Sequence, residues 1–98
     1  MKLAIGADPF AYGLKKAVAQ HLKNRGVEVM DMDSYTETPY YEVAEKAARE
    51  ISAGKADGAV LFCGTGAGMA IVANKICGVR AVCVESVFAA KKAKAIND

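Results

Sequence analysis

The sequence has 98 residues, a length that suits one small domain. Hydrophobic residues make up 53% and charged residues 24%, and 13 basic residues interleave with 11 acidic ones to a net charge of +2. No basic block of the nucleic-acid-binding kind stands out, and no apolar run approaches the roughly 20 residues needed to cross a bilayer. The composition predicts a soluble globular domain without nucleic-acid or membrane partners.

The three cysteines, Cys63, Cys77 and Cys83, do not have the spacing of a metal-binding motif. The chain opens directly on a strand pattern, without a signal peptide, and an odd number of cysteines then indicates reduced thiols. We therefore expect a cytoplasmic protein with no bound metal. Cys77 and Cys83 are interpreted as core residues.

In the first half of the chain, a strand is predicted at residues 3–7 and an amphipathic helix at residues 10–25. A second strand follows at residues 27–30. A polar loop then occupies residues 31–39 and leads into a second helix at residues 41–53. Strand and helix thus alternate from the start.

In the second half, the unbroken apolar run at residues 59–63 is typical of a strand buried on both faces. A glycine-rich turn and a helix at residues 68–77 follow, then a strand at residues 80–84 and a last helix at residues 87–95. Strict alternation with short links predicts a single domain over residues 1–98. Its fold class is α/β: a Rossmann-like, three-layer α/β/α fold with a parallel sheet of four strands.

Ligands of such sheets bind beyond the carboxyl ends of the strands. There the loop Gly64-Thr65-Gly66-Ala67-Gly68 can point successive backbone amides into one concavity before it opens a helix. A phosphate or an enediolate oxygen would suit it, although a tight turn without a ligand is the alternative. A dinucleotide fingerprint would need glycine at Met69, and no phosphate-loop Gly-Lys-Ser/Thr is present.

Cys63 lies at the last position of a predicted strand, directly before this loop. The helix amino end would favour a thiolate there, which could act as nucleophile or base, although a strand cysteine can also be inert core. Asp8, after the first strand, is either a turn former or a ligand-binding group. Tyr35, Tyr40 and Tyr41 crowd the second loop, where they line the site or pack on the surface.

The chain resembles the type B ribose-5-phosphate isomerases and the galactose-6-phosphate isomerase subunits along its whole length. The specific elements are the run Cys-Gly-Thr-Gly-x-Gly at residues 63–68 and the Ala-Asn-Lys triplet at residues 73–75. Further similarity is found at residues 1–8, 26–31, 58–62, 78–81 and 97–98.

The resemblance implies an aldose–ketose isomerase that acts on a phosphorylated monosaccharide through a cis-enediolate, with no metal or nucleotide cofactor. It implies that Cys63 is the base, and that Thr65 and the loop amides hold the oxyanion. The substrate-binding residues it implies are Asp8, Tyr40, Gly64, Gly66, Ala67, Gly68 and Asn74. It also implies a homodimer or higher oligomer, which could include a related subunit.

The chain departs from the family pattern at two histidine positions, occupied here by Pro9 and Ile96. Ring opening must then come from elsewhere or be left to solvent, or the substrate is too short to cyclise, or a partner supplies the acid. The chain also stops before the family's fifth strand and carboxyl-terminal helix, where phosphate-binding arginines lie. Two alternatives stay open: a non-catalytic sugar-phosphate-binding subunit, and a nucleotide-binding Rossmann-like domain suggested by Gly64-x-Gly66 and Glu85.

Overall fold

The computed structural model describes residues 1–33 and 37–97. Its strands are β1 (Lys2–Ala7), β2 (Glu28–Asp31) and β3 (Gly58–Phe62), and its helices are α1 (Tyr12–Asn24), α2 (Tyr40–Ser52), α3 (Ala67–Ala73) and α4 (Val87–Asn97). A 3-10 turn, Pro9–Ala11, precedes α1. Part of the predicted loop at residues 31–39, with Tyr35, and the terminal Asp98 lie outside the described residues.

The strands form a parallel sheet in the order β2-β1-β3, so that β1 is central. Ala4 pairs with Met30 on one side and with Ala59 on the other. Right-handed crossovers place α1 on one face of this sheet and α2 on the opposite face. The prediction of an α/β, Rossmann-like fold with a parallel sheet is confirmed.

Small side chains form the contact between β1 and α2. Ala4 of β1 and Ala47 of α2 are both fully buried and lie in one cluster. A Cβ at Gly6 would collide with Val43, so glycine lets the helix approach the strand closely. Met69 extends this core from α3 and is 2% exposed. α2 is thereby fixed to the sheet at the end where the candidate site lies.

The predicted fourth strand is not formed, since residues 80–84 have no strand pairing in the described structure. The sheet ends at β3. The side chains of Val82 and Val84 in the adjoining segment are 63% and 41% exposed, so little apolar burial supports a strand there. Helix α3 also ends earlier than predicted, at Ala73 instead of residue 77. Cys77 and Cys83 are exposed, and their interpretation as core residues is wrong.

Candidate active site

The loop between β3 and α3, residues 63–68, has the sequence Cys-Gly-Thr-Gly-Ala-Gly. Gly66 adopts a left-handed conformation with φ of 77°, which would cost a residue with a Cβ roughly 1–2 kcal/mol. This turn directs the Gly66 amide at the Cys63 thiol, with 2.9 Å between N and Sγ. The turn thereby gives the Cys63 sulfur a backbone hydrogen-bond donor.

Thr65 stands at the tip of the loop, and its hydroxyl accepts a hydrogen bond of 3.2 Å from the Ala67 amide. Its carbonyl oxygen accepts from the Cys83 thiol at 3.3 Å. The amides of Gly66 and Ala67 therefore point at Cys63 Sγ and Thr65 Oγ1. A substrate oxyanion that used these two amides would have to replace those contacts.

Asp8 is brought to the same edge of the sheet as Cys63. Its amide donates to the carbonyl oxygen of Phe62, the residue before Cys63, at 2.9 Å. Its carboxylate Oδ1 accepts from the Phe10 amide at 2.9 Å and caps the 3-10 turn that Pro9 begins. The turn-forming and ligand-binding interpretations of Asp8 are therefore compatible, because the cap uses one of the two carboxylate oxygens.

Tyr40, the first residue of α2, lies against the glycine loop. A Cβ at Gly68 would stand 2.6 Å from Cε2 of the Tyr40 ring, so the ring covers the start of α3 where glycine leaves room. Tyr41 contacts Tyr40 edge-to-face, with 5.4 Å between ring centroids. The structure thus brings Tyr40 to residues 63–68, about 25 positions away in sequence.

Asn74 lies just after α3 and makes two hydrogen bonds with one residue. Its Nδ2 donates to the Ala81 carbonyl at 2.8 Å, and its Oδ1 accepts from the Ala81 amide at 2.7 Å. The side chain thus fastens the segment after α3 to the end of that helix. In this arrangement the amide group of Asn74 serves the chain's own backbone.

An open groove of about 1100 Å³ runs along the free edge of β3, between that strand, residues 78–85 and α4. Cys63 and Thr65 line it, whereas Asp8 and Tyr40 do not. It is larger than the roughly 300–1,000 Å³ of ordinary small-ligand sites and follows the strand instead of enclosing a point. We therefore interpret it as a gap beside an edge strand and not as the substrate pocket.

A buried charged cluster near the site is absent from the sequence-based predictions. Lys15 of α1 donates to Asp31 Oδ1 at 3.0 Å and also to Asp33, and the side chains of Lys15 and Asp33 are fully buried. Burial opposes the ammonium charge, but the hydrogen bonds to Asp33 and Asp31 outweigh it and raise the pKa of Lys15. Asp31 and Asp33 stand two positions apart beyond an apolar run, which is the only sequence signal for this cluster.

Within residues 1–33 and 37–97, no group of three or more His, Cys, Asp or Glu side chains is arranged to hold a metal ion. None of the helices in this part of the chain has the length and apolar character needed to span a membrane.

The profile of a family described as Ribose/Galactose Isomerase matches residues 3–98. A 4-deoxy-4-sulfo-D-erythrose isomerase from Clostridium sp. (strain MSTE9) is 48% identical over 100% of this chain and 64% of its own length. Ribose-5-P isomerase B from Listeria innocua is 41% identical over 100% of this chain and 68% of its own length. The solved structure of Clostridium thermocellum ribose-5-phosphate isomerase B is 35% identical, with a TM-score of 0.94 over 99% of this chain and 67% of that one. The chain spans about two thirds of the length of these relatives.

Proposed function

The chain belongs to the ribose/galactose isomerase family, and on this premise we propose that it interconverts an aldose and a ketose that carry a terminal anionic group. The observation that carries the proposal is the 2.9 Å contact from the Gly66 amide to Cys63 Sγ. It gives a strand-end thiol a hydrogen-bond donor that stabilises the thiolate, and a thiolate at this position can move a proton.

In the proposed reaction the Cys63 thiolate takes the proton from C2 of the open-chain aldose. The C–H electron pair forms the C1–C2 double bond, and the carbonyl oxygen becomes the enediolate oxyanion. With Cys63 now a neutral thiol, the Gly66 amide leaves Sγ and, together with the Thr65 hydroxyl, stabilises this charge in the loop at residues 63–68. The proton on the C2 hydroxyl then moves to the C1 oxygen, which leaves the negative charge on the C2 oxygen. Return of the proton from Cys63 to C1 forms the C2 carbonyl, gives the ketose and regenerates the thiolate, so no cofactor is consumed.

Asp8 and Tyr40 supply the contacts to the sugar hydroxyls in this proposal. Asp8 is tied to Phe62, next to the base, and Tyr40 covers Gly68 at the other end of the loop. The two residues therefore flank Cys63 from different elements. Asn74 contributes less to sugar binding, because its side-chain amide is hydrogen-bonded to the Ala81 backbone.

For the substrate, we favour a four-carbon aldose with phosphate or sulfonate at C4. Such a sugar has no C4 hydroxyl to close a five-membered ring, so it needs no group for ring opening. The chain's single histidine, His21, lies in the last turn of α1, at the end of the sheet opposite Cys63. The relative from Clostridium sp. (strain MSTE9) is named for a sugar of this class. Ribose 5-phosphate and galactose 6-phosphate are the alternatives.

The proposal is tested by incubating the full-length protein in D₂O with D-erythrose 4-phosphate, 4-deoxy-4-sulfo-D-erythrose, D-ribose 5-phosphate and D-galactose 6-phosphate. Ketose formation and deuterium incorporation are followed by NMR. We expect turnover of a four-carbon substrate with the highest kcat/KM. Binding of a sugar without ketose formation or deuterium incorporation would instead support a non-catalytic sugar-phosphate-binding subunit. The nucleotide-binding alternative is disfavoured because the chain belongs to the ribose/galactose isomerase family.

The base is tested by Cys63→Ala, which should lower the rate of C2 proton exchange by about 10²–10⁴-fold. The matched control is Cys77→Ala, because Cys77 is an exposed thiol outside the loop, and its rate should stay that of the parent. A Cys63→Ala protein that exchanges the C2 proton as fast as the parent would remove Cys63 from the mechanism. The homodimeric state stays a prediction, which sedimentation equilibrium of the same samples measures.

A further inference from the structure

The buried cluster of Lys15, Asp31 and Asp33 connects α1 with the end of β2, and Asp33 also connects it to β1. Asp33 Oδ2 accepts from the Ala7 amide at 2.6 Å, while Oδ1 accepts from Lys15. Both carboxylate oxygens of Asp33 are thus engaged in a fully buried setting. Asp31 Oδ1 accepts from Lys15 as well, and also from the Asp33 amide at 3.1 Å, but the side chain of Asp31 is 33% exposed.

Ala7 is the last residue of β1 and immediately precedes Asp8. On one side of this dipeptide, Asp33 holds the Ala7 amide; on the other, Phe62 holds the Asp8 amide at 2.9 Å. The backbone that presents the Asp8 carboxylate is therefore fixed from both neighbouring strand ends. The contact to Phe62 is an ordinary continuation of the parallel ladder, whereas the contact to Asp33 needs a buried carboxylate.

A buried carboxylate is a costly way to satisfy one backbone amide. Ion pairs in protein interiors are weak evidence for stability, because well-packed apolar residues of similar volume are often as stabilising. Lys15 offsets the charge of Asp33 and fixes its carboxylate plane, which leaves Oδ2 directed at Ala7. The arrangement is better suited to holding a geometry than to stabilising the fold.

We propose that Asp33, held in place by Lys15, is a positioning residue that sets the orientation of Asp8 toward the substrate. This inference rests on the proposed function, in which Asp8 contacts the sugar hydroxyls. Asp33 and Lys15 do not touch the substrate and act through the β1 backbone. Asp8 binds hydroxyls that persist through the reaction, so a misplaced Asp8 weakens ground state and transition state alike and raises KM more than it lowers kcat.

The test compares Asp33→Asn with Asp31→Asn on the aldose that the parent protein turns over. Each variant removes one charge from Lys15, but only Asp33 holds the Ala7 amide. Ala7 and Lys15 donate to different oxygens of Asp33, and in asparagine one of these two positions is an NH₂ donor, so one of the two contacts is lost in this geometry. We expect Asp33→Asn to raise KM about 10-fold, with kcat within about 3-fold of the parent, and Asp31→Asn to change KM by less than about 3-fold.

A double-mutant cycle separates positioning from general loss of structure. If Asp33 acts through Asp8, then Asp33→Asn has no further effect on KM in an Asp8→Ala background. Additive effects would overturn the proposal, as would a fall in kcat at unchanged KM, the sign of a reduced folded fraction. If Asp33→Asn does not fold, Lys15→Met/Asp33→Asn replaces the pair by neutral groups of similar size and enters the same cycle.

Amide hydrogen exchange makes the test independent of turnover. In Asp33→Asn we expect the Ala7 amide to exchange at least about 10-fold faster, while amides of β3 keep parental protection. If the parent turns over none of the sugars, the proposed function fails, but this measurement still decides whether Asp33 holds the β1 end. Unchanged Ala7 protection would overturn the positioning role by itself.

Discussion

The regions on the two sides of the central strand β1 are packed very differently. We use the name closed side for β2, residues 31–33 and Lys15. We use the name open side for the free edge of β3 together with residues 79–85. On the closed side, the main-chain ladder is extended by Asp33 and Lys15, which are fully buried. On the open side, Asn74 bonds to the Ala81 backbone and the Cys83 thiol donates to the Thr65 carbonyl, but residues 79–85 form no strand ladder with β3 in the described structure.

The difference shows that apolar sequence is not sufficient for a strand. Residues 81–84 are as apolar as β1, but burial and pairing depend on what lies on either side. β1 has a strand on both edges and helices on both faces, so its Ile5 is fully buried. No residue of β2 or β3 is fully buried, because each of these strands has one free edge. The candidate active site lies between the two sides, with Asp8 at the end of the central strand and Cys63 and Thr65 on the groove of the open side.

The largest expected contrast in stability is between Ile5→Ala and Val82→Ala. Ile5 is fully buried in the central strand, so its truncation leaves a cavity and should lower the free energy of unfolding by about 2–5 kcal/mol. Val82 is mostly exposed on the open side, and its truncation should change the free energy by about 0.5 kcal/mol or less. Urea denaturation of the two variants measures both values. Similar losses would mean that the open side is packed in solution as firmly as the closed side.

The next largest difference in the free energy of unfolding is expected between two glycine substitutions in the loop at residues 63–68. Gly66→Ala puts a Cβ on a residue with φ of 77°, and this Cβ would stand 2.6 Å from Cys83 Sγ. We expect a loss of roughly 1–3 kcal/mol in the free energy of unfolding, together with a fall in proton exchange because the Gly66 amide turns from Cys63.

Gly64→Ala is the matched control in the same loop, since a Cβ there meets nothing within 4 Å. Its free energy of unfolding should stay within about 0.5 kcal/mol of the parental value. The double variant Gly66→Ala/Cys83→Ala keeps the backbone strain but removes the collision. Full recovery of stability in that variant would show that contact with the open side, and not the left-handed backbone, makes glycine necessary at 66.

The smallest expected effect is a pH dependence of the free energy of unfolding that arises from the charged groups of the closed side. Hydrogen bonds to Asp33 and Asp31 hold the pKa of Lys15 above its ordinary value of 10.5, against the opposing effect of burial. Partial burial and then the charge of Asp33 also raise the pKa of Tyr12. For Lys15, the stabilising contribution is complete below the unfolded pKa and is lost as pH rises through the folded pKa. For Tyr12, the free energy of unfolding falls in the same direction, because the unfolded chain ionises first and the folded state disfavours the phenolate.

The free energy of unfolding should therefore fall as pH is raised above 10, and Lys15→Met should show a shallower fall than the parent. Lys46→Met, which removes an exposed lysine of α2, is the control and should follow the parental curve. Denaturant titrations between pH 8 and pH 11 measure these slopes. Parallel curves for Lys15→Met and the parent would mean that the cluster does not keep its charge state in solution.

The sequence by itself determined the features that depend on residues close to one another along the chain. Alternation of apolar runs and amphipathic stretches predicts β1, α1, β2, α2 and β3 to within a few residues, because strand and helix periods depend on near neighbours. The run at residues 63–68 likewise predicts a tight turn with a thiol at its start, since glycine is needed at the left-handed position of Gly66. The family resemblance follows from the same local runs.

Only the tertiary structure decided which of these pieces meet. It placed Tyr40 on Gly68, engaged Asn74 with Ala81, and paired Lys15 with Asp33 across 18 positions, none of which has a periodic signal. It also left residues 80–84 without a ladder, although their composition predicts a strand. The physical reason is that pairing and burial are properties of neighbours distant in sequence, whereas propensity is a property of the segment alone.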